Sequence, residues 1–418
     1  MENVNPAANS VKSVEEIRQQ FPALERIIDG HPVAYFDGPG GTQVPRSVVE
    51  AMNDYMYNHN ANTHWAYTTS RETDEIIEDS RQAMADFLNA EPDEIVYGQN
   101  MTTLTFHLAR SLGREMNAGD EIIVTELDHH ANVDTWASLE RDRGVVIRKI
   151  PMNTESGQLE LDVLANLLSD KTRLLAIGAA SNALGTINDI EKAVGKAKAA
   201  GALTFVDAVH YAAHNLIDVK KIDCDFLACS SYKFYGPHMG ILYGRKGLLK
   251  QIDFPKLKPA PNYSPERAET GTQNHEGIAG AAAAVNFIAS LASQGTRRER
   301  LAAAFEELHH RQHELTTTFW NALTQMKGVK VYGPPPHMPR TSTISFTIEG
   351  KTSESVTSQL AEKGLFTSNG DFYAATIVEQ LGIEGLVRVG FACYTSEEEV
   401  ERLSEAIKAL SKPSGSLG

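Results

Sequence analysis

One lysine of this chain stands where an amine can attack a carbonyl. Lys233 lies in Ser230-Ser231-Tyr232-Lys233-Phe234-Tyr235-Gly236-Pro237, directly after the apolar run Phe226-Leu227-Ala228-Cys229. An amine just past a strand end, among hydroxyls and glycine, is placed to form a Schiff base with an aldehyde cofactor. Read alone, the same lysine is a solvated loop residue. A second run, Thr204-Phe205-Val206, ends in Asp207 and continues Ala208-Val209-His210. Short apolar runs of this kind read as buried parallel strands, and ligands of doubly wound sheets gather at their carboxyl ends. Asp207 and Lys233 are therefore expected to face one crevice, where a carboxylate pairs with a protonated ring nitrogen. By itself Asp207 reads equally as a turn or helix-cap residue.

Further segments extend the pattern. In Tyr97-Gly98-Gln99-Asn100-Met101-Thr102-Thr103, hydroxyls and backbone amides precede an expected helix, an arrangement that suits a phosphate dianion as well as an ordinary N-cap. In Thr125-Glu126-Leu127-Asp128-His129-His130-Ala131-Asn132, the run from Glu121 to Val124 reads as a strand that delivers imidazoles to the same edge. An imidazole face there can stack on a cofactor ring. A metal is not expected, because adjacent residues rarely share one tetrahedral ion and no second ligand cluster is evident.

In this order, the segments resemble the class V aminotransferase family of pyridoxal-phosphate enzymes, in its cysteine desulfurase-like branch. The resemblance runs from Tyr35-Phe36-Asp37-Gly38-Pro39-Gly40 to about Tyr394. It implies that Lys233 carries pyridoxal 5'-phosphate as a Schiff base, that Asp207 partners the pyridine nitrogen and that His129 stacks on the ring. Thr102, with Met101 beside it, and Ser230 would hold the phosphate. The segment Arg267-Ala268-Glu269-Thr270-Gly271-Thr272-Gln273-Asn274 resembles the family's loop to a neighbouring subunit's phosphate, which nominates Thr272 and implies a homodimer. Asn182 corresponds to a substrate-side asparagine. Arg388 corresponds to the arginine that clamps the substrate α-carboxylate, a task that suits a bidentate guanidinium. Read locally, Asn182 is a turn residue and Arg388 a half-buried, paired strand arginine.

The chain also departs from that pattern. Desulfurases of the family carry a nucleophilic cysteine on a loop before the arginine-bearing strand. The comparable stretch here is Phe366-Thr367-Ser368-Asn369-Gly370-Asp371-Phe372-Tyr373-Ala374-Ala375, with Tyr373 about where the cysteine would stand. A phenol cannot accept sulfur as a persulfide. Cys224, Cys229 and Cys393 sit in or beside apolar runs and read as small buried hydrophobes. His210 stands where desulfurases have a glutamine on the cofactor's phenolic oxygen, and Tyr232 where they have the histidine before the lysine. Neutral His210 can donate the same hydrogen bond, and the Tyr232 hydroxyl can reach phosphate.

Composition bounds the remaining possibilities. The chain has 418 residues, with 39 basic against 54 acidic and a net charge of -15. Such a balance argues against nucleic acid or an anionic membrane as partner. Three cysteines cannot build a disulfide framework, and the polar start Met1-Glu2-Asn3-Val4-Asn5-Pro6 lacks the regions of a signal peptide. A cytoplasmic setting is expected. The alanine-rich run from Gly277 to Ser293 reads as a buried helix, since it contains Asn286 and barely reaches spanning length.

The elements that must position these residues follow from alternation. Runs at 121–124, 174–177, 204–206 and 226–229 alternate with helical segments such as Glu72 to Asn89 and Leu161 to Leu168, which predicts an α/β fold with a mostly parallel sheet flanked by helices. Length implies more than one core. An N-terminal arm is expected over 1–30, with Val14 to Phe21 amphipathic, a large cofactor-binding domain over 31–294, a smaller α+β domain over 295–411, and a tail over 412–418. Within the smaller domain, Arg297 to Met326 reads as one helix whose His309, His310 and His313 form an exposed polar face, Thr341 to Ile348 and Leu386 to Ala392 as strands, and Glu397 to Leu410 as a closing helix. The expected function is a pyridoxal-phosphate enzyme on a small amino acid, first a carbon–sulfur lyase on cysteine or a related thio amino acid without the usual persulfide cysteine. Tyr373 would then sit over the substrate side chain. An aminotransferase or epimerase and a cofactor-binding protein without turnover are the alternatives.

Overall fold

The computed structural model describes residues 10–412; the first nine residues and the tail from Pro413 onward lie outside the described residues. At its centre is a seven-stranded sheet: β1 (Ile95–Gly98), β2 (Glu121–Thr125), β3 (Val146–Ile150), β4 (Thr172–Gly178), β5 (Leu203–Asp207), β6 (Phe226–Ser230) and β7 (Gly240–Gly244). Their spatial order is β1-β7-β6-β5-β4-β2-β3. Only β7 runs antiparallel to its neighbours. Both faces are covered, so successive residues of one strand enter different cores. Leu175 and Ile177 pack with helices Thr68–Leu88 and His275–Ala289, while Leu174 and Ala176 pack with Met101–Leu112 and Asp134–Arg143. That alternation is why the strands read as unbroken apolar runs.

A second, four-stranded sheet holds β8 (Val329–Tyr332), β9 (Ile344–Ile348), β10 (Ser368–Gly370) and β11 (Leu386–Val389), ordered β8-β9-β11-β10 and antiparallel throughout. Helix Arg297–Thr324 joins the two sheets. Its Leu301, Phe305 and Leu308 pack in the core of the large sheet, and its Leu315, Phe319 and Leu323 in the core of the small one. At 28 residues, opened by a Thr296–Glu299 capping box, it is a rod of about 42 Å. His309, His310 and His313 lie on its exposed side, and no group of metal-ligating side chains occurs among the described residues. No helix there is long and apolar enough to cross a membrane. The alanine-rich helix His275–Ala289 is buried on several sides; a Cβ on Gly280 would meet the Met52 side chain and Pro237 within 3 Å.

Several expectations differ at their boundaries: the helices expected over 72–89 and 297–326 are Thr68–Leu88 and Arg297–Thr324, the run expected over 277–293 is His275–Ala289, and the strand expected to Ala392 ends at Val389. Leu161 to Leu168 splits into a 3-10 turn and the short helix Leu164–Leu167, with Leu164 its one fully buried anchor. The strand expected from Thr341 begins only at Ile344, because the Arg340 guanidinium takes the carbonyls of Thr341 and Thr343. The amphipathic segment expected to Phe21 is helical over Val14–Arg18. The closing helix is Glu397–Leu410, as expected.

Edge strand β1 is tied down by a buried ion pair. Arg81 donates to both oxygens of Glu269 at 3.0 and 3.1 Å and to the Ile95 carbonyl, while Glu269 accepts the Tyr97 amide at 2.8 Å. Removing one member of such a pair leaves an uncompensated charge, at a cost of about 3–5 kcal/mol. Glu269→Ala is therefore expected to lower unfolding stability by about that amount, measured by denaturant titration. A loss under about 1 kcal/mol, the range of exposed pairs, would contradict the buried pairing.

Candidate active site

The parallel strands end at a common edge, and β1, β2, β4, β5 and β6 each lead a functional side chain to it. After β1 comes Asn100, the N-cap of helix Met101–Leu112, whose side chain accepts the Thr103 amide at 2.9 Å. This helix start crosses directly over β7, where a Cβ on Gly240 would lie 2.5 Å from the Asn100 backbone. Only glycine allows that approach. β2 delivers Asp128 and His129, β4 leads to Asn182, β5 ends in Asp207 with His210 beyond it, and β6 ends in Ser230 just before Lys233. The small sheet contributes Arg388 from β11.

These residues surround one cavity of about 910 Å³, within the usual size of a small-ligand site. Lys233, Asp207, His129, His210, Met101, Thr102, Ser230, Tyr232, Asn182, Tyr373 and Arg388 all line it. Thr272 does not. It lies exposed in a separate groove of about 1380 Å³ that shares no residue with this cavity.

Lys233 is buried, and its Nζ donates to the carbonyls of Pro39 and, at 3.1 Å, Gly40. Burial, and then the Arg388 cation, push its amine down to about 7. A lysine in that state offers a neutral nucleophile near neutral pH. Burial also raises Asp207 to about 6, with the Val209 amide donating to its Oδ1 at 2.9 Å. Asp128 rises to about 7, first by burial and then by the Asp207 charge. His129 is held down to about 4 by burial, so its imidazole is neutral at physiological pH and its face is available for stacking. At the helix start, the Met101 amide donates to Ser230 Oγ at 3.1 Å. Ser230 Oγ thus accepts at the helix start, and its own hydrogen remains to be donated.

Arg388 is 4% exposed and makes no salt bridge among the described residues, the nearby Asp37 carboxylate acting on it only through space. It donates to the Asn182 carbonyl at 3.0 Å, its Nε is buried without an acceptor, and its charged carbon sits 4.0 Å from the centre of the Phe372 ring. Burial lowers it to about 9. A cation held this way has unfilled capacity for an anion. Above it runs a turn in which Phe372 and Tyr373 both adopt the left-handed conformation, φ 57° and 58°. Asn182 donates its amide to the Phe372 carbonyl at 2.9 Å, the His130 amide donates to the Tyr373 carbonyl at 2.7 Å, and the Tyr373 ring stacks on His129 at 5.5 Å. None of the three cysteines lines the cavity. All are buried, and burial raises Cys224 and Cys393 to about 12.

Several neighbours of the site escaped the sequence reading. The Pro39 and Gly40 carbonyls carry no side-chain signal. Asp37, with Oδ1 buried and unpartnered, was legible only as part of an apolar–glycine motif. Asp128 was visible beside His129 but gave no reason to expect full burial. Phe372 was hidden because its contact with Arg388 depends on the pairing of β10 with β11 and on the left-handed turn after β10.

The family model described as Aminotransferase class-V matches residues 34–403. The chain belongs to that family of pyridoxal-phosphate enzymes. Within it, the similarity is to the cysteine desulfurase branch. A cysteine desulfurase of Pectobacterium carotovorum subsp. carotovorum is 32% identical over 96% of this chain and 99% of its own length. The solved apo structure of cysteine desulfurase from Thermococcus onnurineus matches with a TM-score of 0.88 at 28% identity, covering 96% of this chain and 99% of the other. The Escherichia coli cysteine desulfurase CsdA matches with a TM-score of 0.84 at 27% identity, over 96% and 98%.

The buried lysine makes a stability prediction with a definite sign. Its amine titrates near 10.5 when unfolded and near 7 when folded, so between those values the unfolded chain holds the extra proton. Stability contributed by this group therefore rises with pH through that window. Cofactor-free protein is expected to gain stability relative to Lys233→Met between pH 7 and 10, measured by urea unfolding of both. Parallel pH curves would contradict the depressed amine.

Proposed function

We propose that this chain is a carbon–sulfur lyase that uses pyridoxal 5'-phosphate to cleave cysteine or a related small thio amino acid, releasing sulfide or a thiol instead of passing persulfide to a protein cysteine. The observation that carries this reading is the position of the thiols. All three are buried away from the cavity, while Tyr373 occupies its mouth, 75% exposed. The likeness to cysteine desulfurases supports sulfur chemistry, and the missing thiol at the cavity argues for release over transfer.

The residues present suit the cofactor. Lys233 would hold it through Nζ, Asp207 would keep the ring nitrogen protonated with the carboxylate oxygen that Val209 leaves free, and the neutral face of His129 would pack on the ring. The amide end of helix Met101–Leu112, the Ser230 hydroxyl and Tyr232 would hold the phosphate. When bound, pyridoxal 5'-phosphate supplies an electron sink for the pair released at the substrate α-carbon. The chain's part is positional. Arg388 receives the α-carboxylate on donors that now lack a carboxylate, with Asn182 beside it. Lys233 Nζ, once free, takes the α-proton, which its depressed basicity suits near neutral pH. The Phe372–Tyr373 turn narrows the entrance and excludes water. The net reaction turns cysteine and water into sulfide, pyruvate and ammonia without any oxidant.

The division into a cofactor-binding part over 31–294 and a smaller part over 295–411 belongs to the same proposal, as does a reducing, cytoplasmic setting, which the unpaired cysteines support. So does a homodimer. Thr272 lies outside its own cavity, so it can hold phosphate only in a second copy, and exposed Tyr57, Trp65 and Tyr67 flank the groove residues Asn62 to His64 in the chain. Light scattering is expected to give twice the chain mass at micromolar concentration. A single-chain mass for cofactor-loaded protein would remove the dimer and the role of Thr272.

The cofactor-loaded protein, incubated with cysteine and related thio amino acids, is expected to produce sulfide and pyruvate in amounts that vanish in Lys233→Ala. Alanine in place of pyruvate would instead mark sulfur transfer to an external acceptor. Absence of any sulfur product, with amino transfer to a keto acid or racemisation, would overturn the lyase in favour of an aminotransferase or epimerase.

A further inference from the structure

His210 enters the cavity from the turn after β5 and is held from the opposite side by the small sheet. Its Nε2 lies 3.0 Å from the Thr341 hydroxyl and 3.0 Å from the Thr343 hydroxyl. All three side chains are buried, Thr343 completely. The two threonines differ in what else they can reach. Thr341 also has the Gly185 carbonyl as an acceptor, at 3.4 Å. Among the described residues the Thr343 hydroxyl has only His210 Nε2.

That difference decides where the imidazole proton sits. A hydroxyl carries one hydrogen, and Thr343 can bond its hydrogen only to the Nε2 lone pair. A proton on Nε2 would strand that buried hydrogen, which costs about 1–3 kcal/mol. The doubly protonated ring has the same fault. It is disfavoured further by burial and by the charged or chargeable groups that face it, namely His214, Lys233 and Arg388. The remaining form is neutral with hydrogen on Nδ1. That nitrogen makes no hydrogen bond to the described residues, and His210 lines the cavity beside Lys233.

We propose that Thr343 is a positioning residue that fixes the tautomer of His210, so that Nδ1–H is presented as a donor to an anionic ring oxygen of the cofactor held at Lys233. This rests on the pyridoxal-phosphate reading of the site. The arrangement also links two functions of the small sheet. Thr343 directly precedes β9, and two residues later Ser345 pairs with Arg388 of β11. The element that sets the cavity cation therefore also sets the ring-facing donor, and a shift of the small sheet moves both together.

The test compares Thr343→Val, which keeps the shape and removes the hydroxyl, with Thr343→Ser, which keeps the hydroxyl. In cofactor-free protein labelled with ¹⁵N-histidine, the His210 signals, identified by their loss in His210→Gln, are expected to show the Nδ1–H tautomer in wild type and Thr343→Ser. In Thr343→Val they are expected to show Nε2–H, with Thr341 as acceptor. In cofactor-loaded protein, the pH midpoint of the bound-cofactor absorbance is expected to move by about one unit in Thr343→Val, equivalent to about 1.4 kcal/mol, and not in Thr343→Ser. An Nε2–H signal in wild type overturns the proposal even where Thr343→Val fails to fold. So does a folded Thr343→Val with wild-type tautomer and midpoint. Failure of the wild type to bind pyridoxal 5'-phosphate would sink the cofactor reading on its own, whereas the tautomer signal decides the role of Thr343 separately.

Discussion

Two basic side chains, buried and without a salt bridge among the described residues, set the terms for the rest of this structure. Lys233 is neutralised by its surroundings and anchored on two backbone carbonyls, whereas Arg388 keeps its charge and rests on one carbonyl, the Ser368 hydroxyl and one aromatic face. Isolated buried charge is expensive, so such an arrangement persists only where the fold imposes it. The imposition comes from rigid elements. Lys233 is fixed by β6 and by the Asp37 to Gly41 strap, and Arg388 by a strand at the centre of a packed sheet. The 28-residue helix shared by both cores keeps the two basic side chains facing one cavity.

The carboxylates nearby answer that charge only in part. Asp207 and Asp128 are both buried and both raised, and the Asp207 charge further opposes ionisation of Asp128. Lys233, Asp207 and Asp128 are thus all drawn toward neutral pH, to about 7, 6 and 7. Groups whose environments draw their titration ranges together are what proton-transfer chemistry requires. Backbone strain sits in the same place. Two successive non-glycine residues in the left-handed region cost about 1–2 kcal/mol each. Hydrogen bonds to the Phe372 and Tyr373 carbonyls, worth about 0.5–1.5 kcal/mol apiece, roughly balance that. The turn is held by its contacts with the site, not by local preference.

Much of this was legible beforehand. Strand ends could be read because a doubly covered strand is a continuous apolar run, and the residues following such runs, Asp207, Ser230 and Lys233, fell at the cavity without any knowledge of pairing. Helix Glu397–Leu410 was readable to the residue. The start of β9 was not, because the Arg340 side chain captures carbonyls that an extended pattern would assign to a ladder. The short helix at Leu164 was overestimated because spacing of apolar residues does not report which of them find a partner.

The sequence by itself determined the types and order of the groups that reach the edge of the sheet, because a side chain next to a strand terminus is carried there by covalent connection. It determined equally that no thiol stands on the loop before Arg388. Tertiary structure alone decided the protonation states, since the lowered amine of Lys233 and the raised acids of Asp207 and Asp128 depend on how completely water is excluded. It alone decided that Phe372 covers Arg388, that Thr343 meets His210, and that Thr272 turns away from its own cavity. Thr343 and His210 are 133 residues apart and meet where the small sheet packs against the large one, which no local pattern encodes, whereas Phe372 meets Arg388 within the small sheet, through the pairing of β10 with β11.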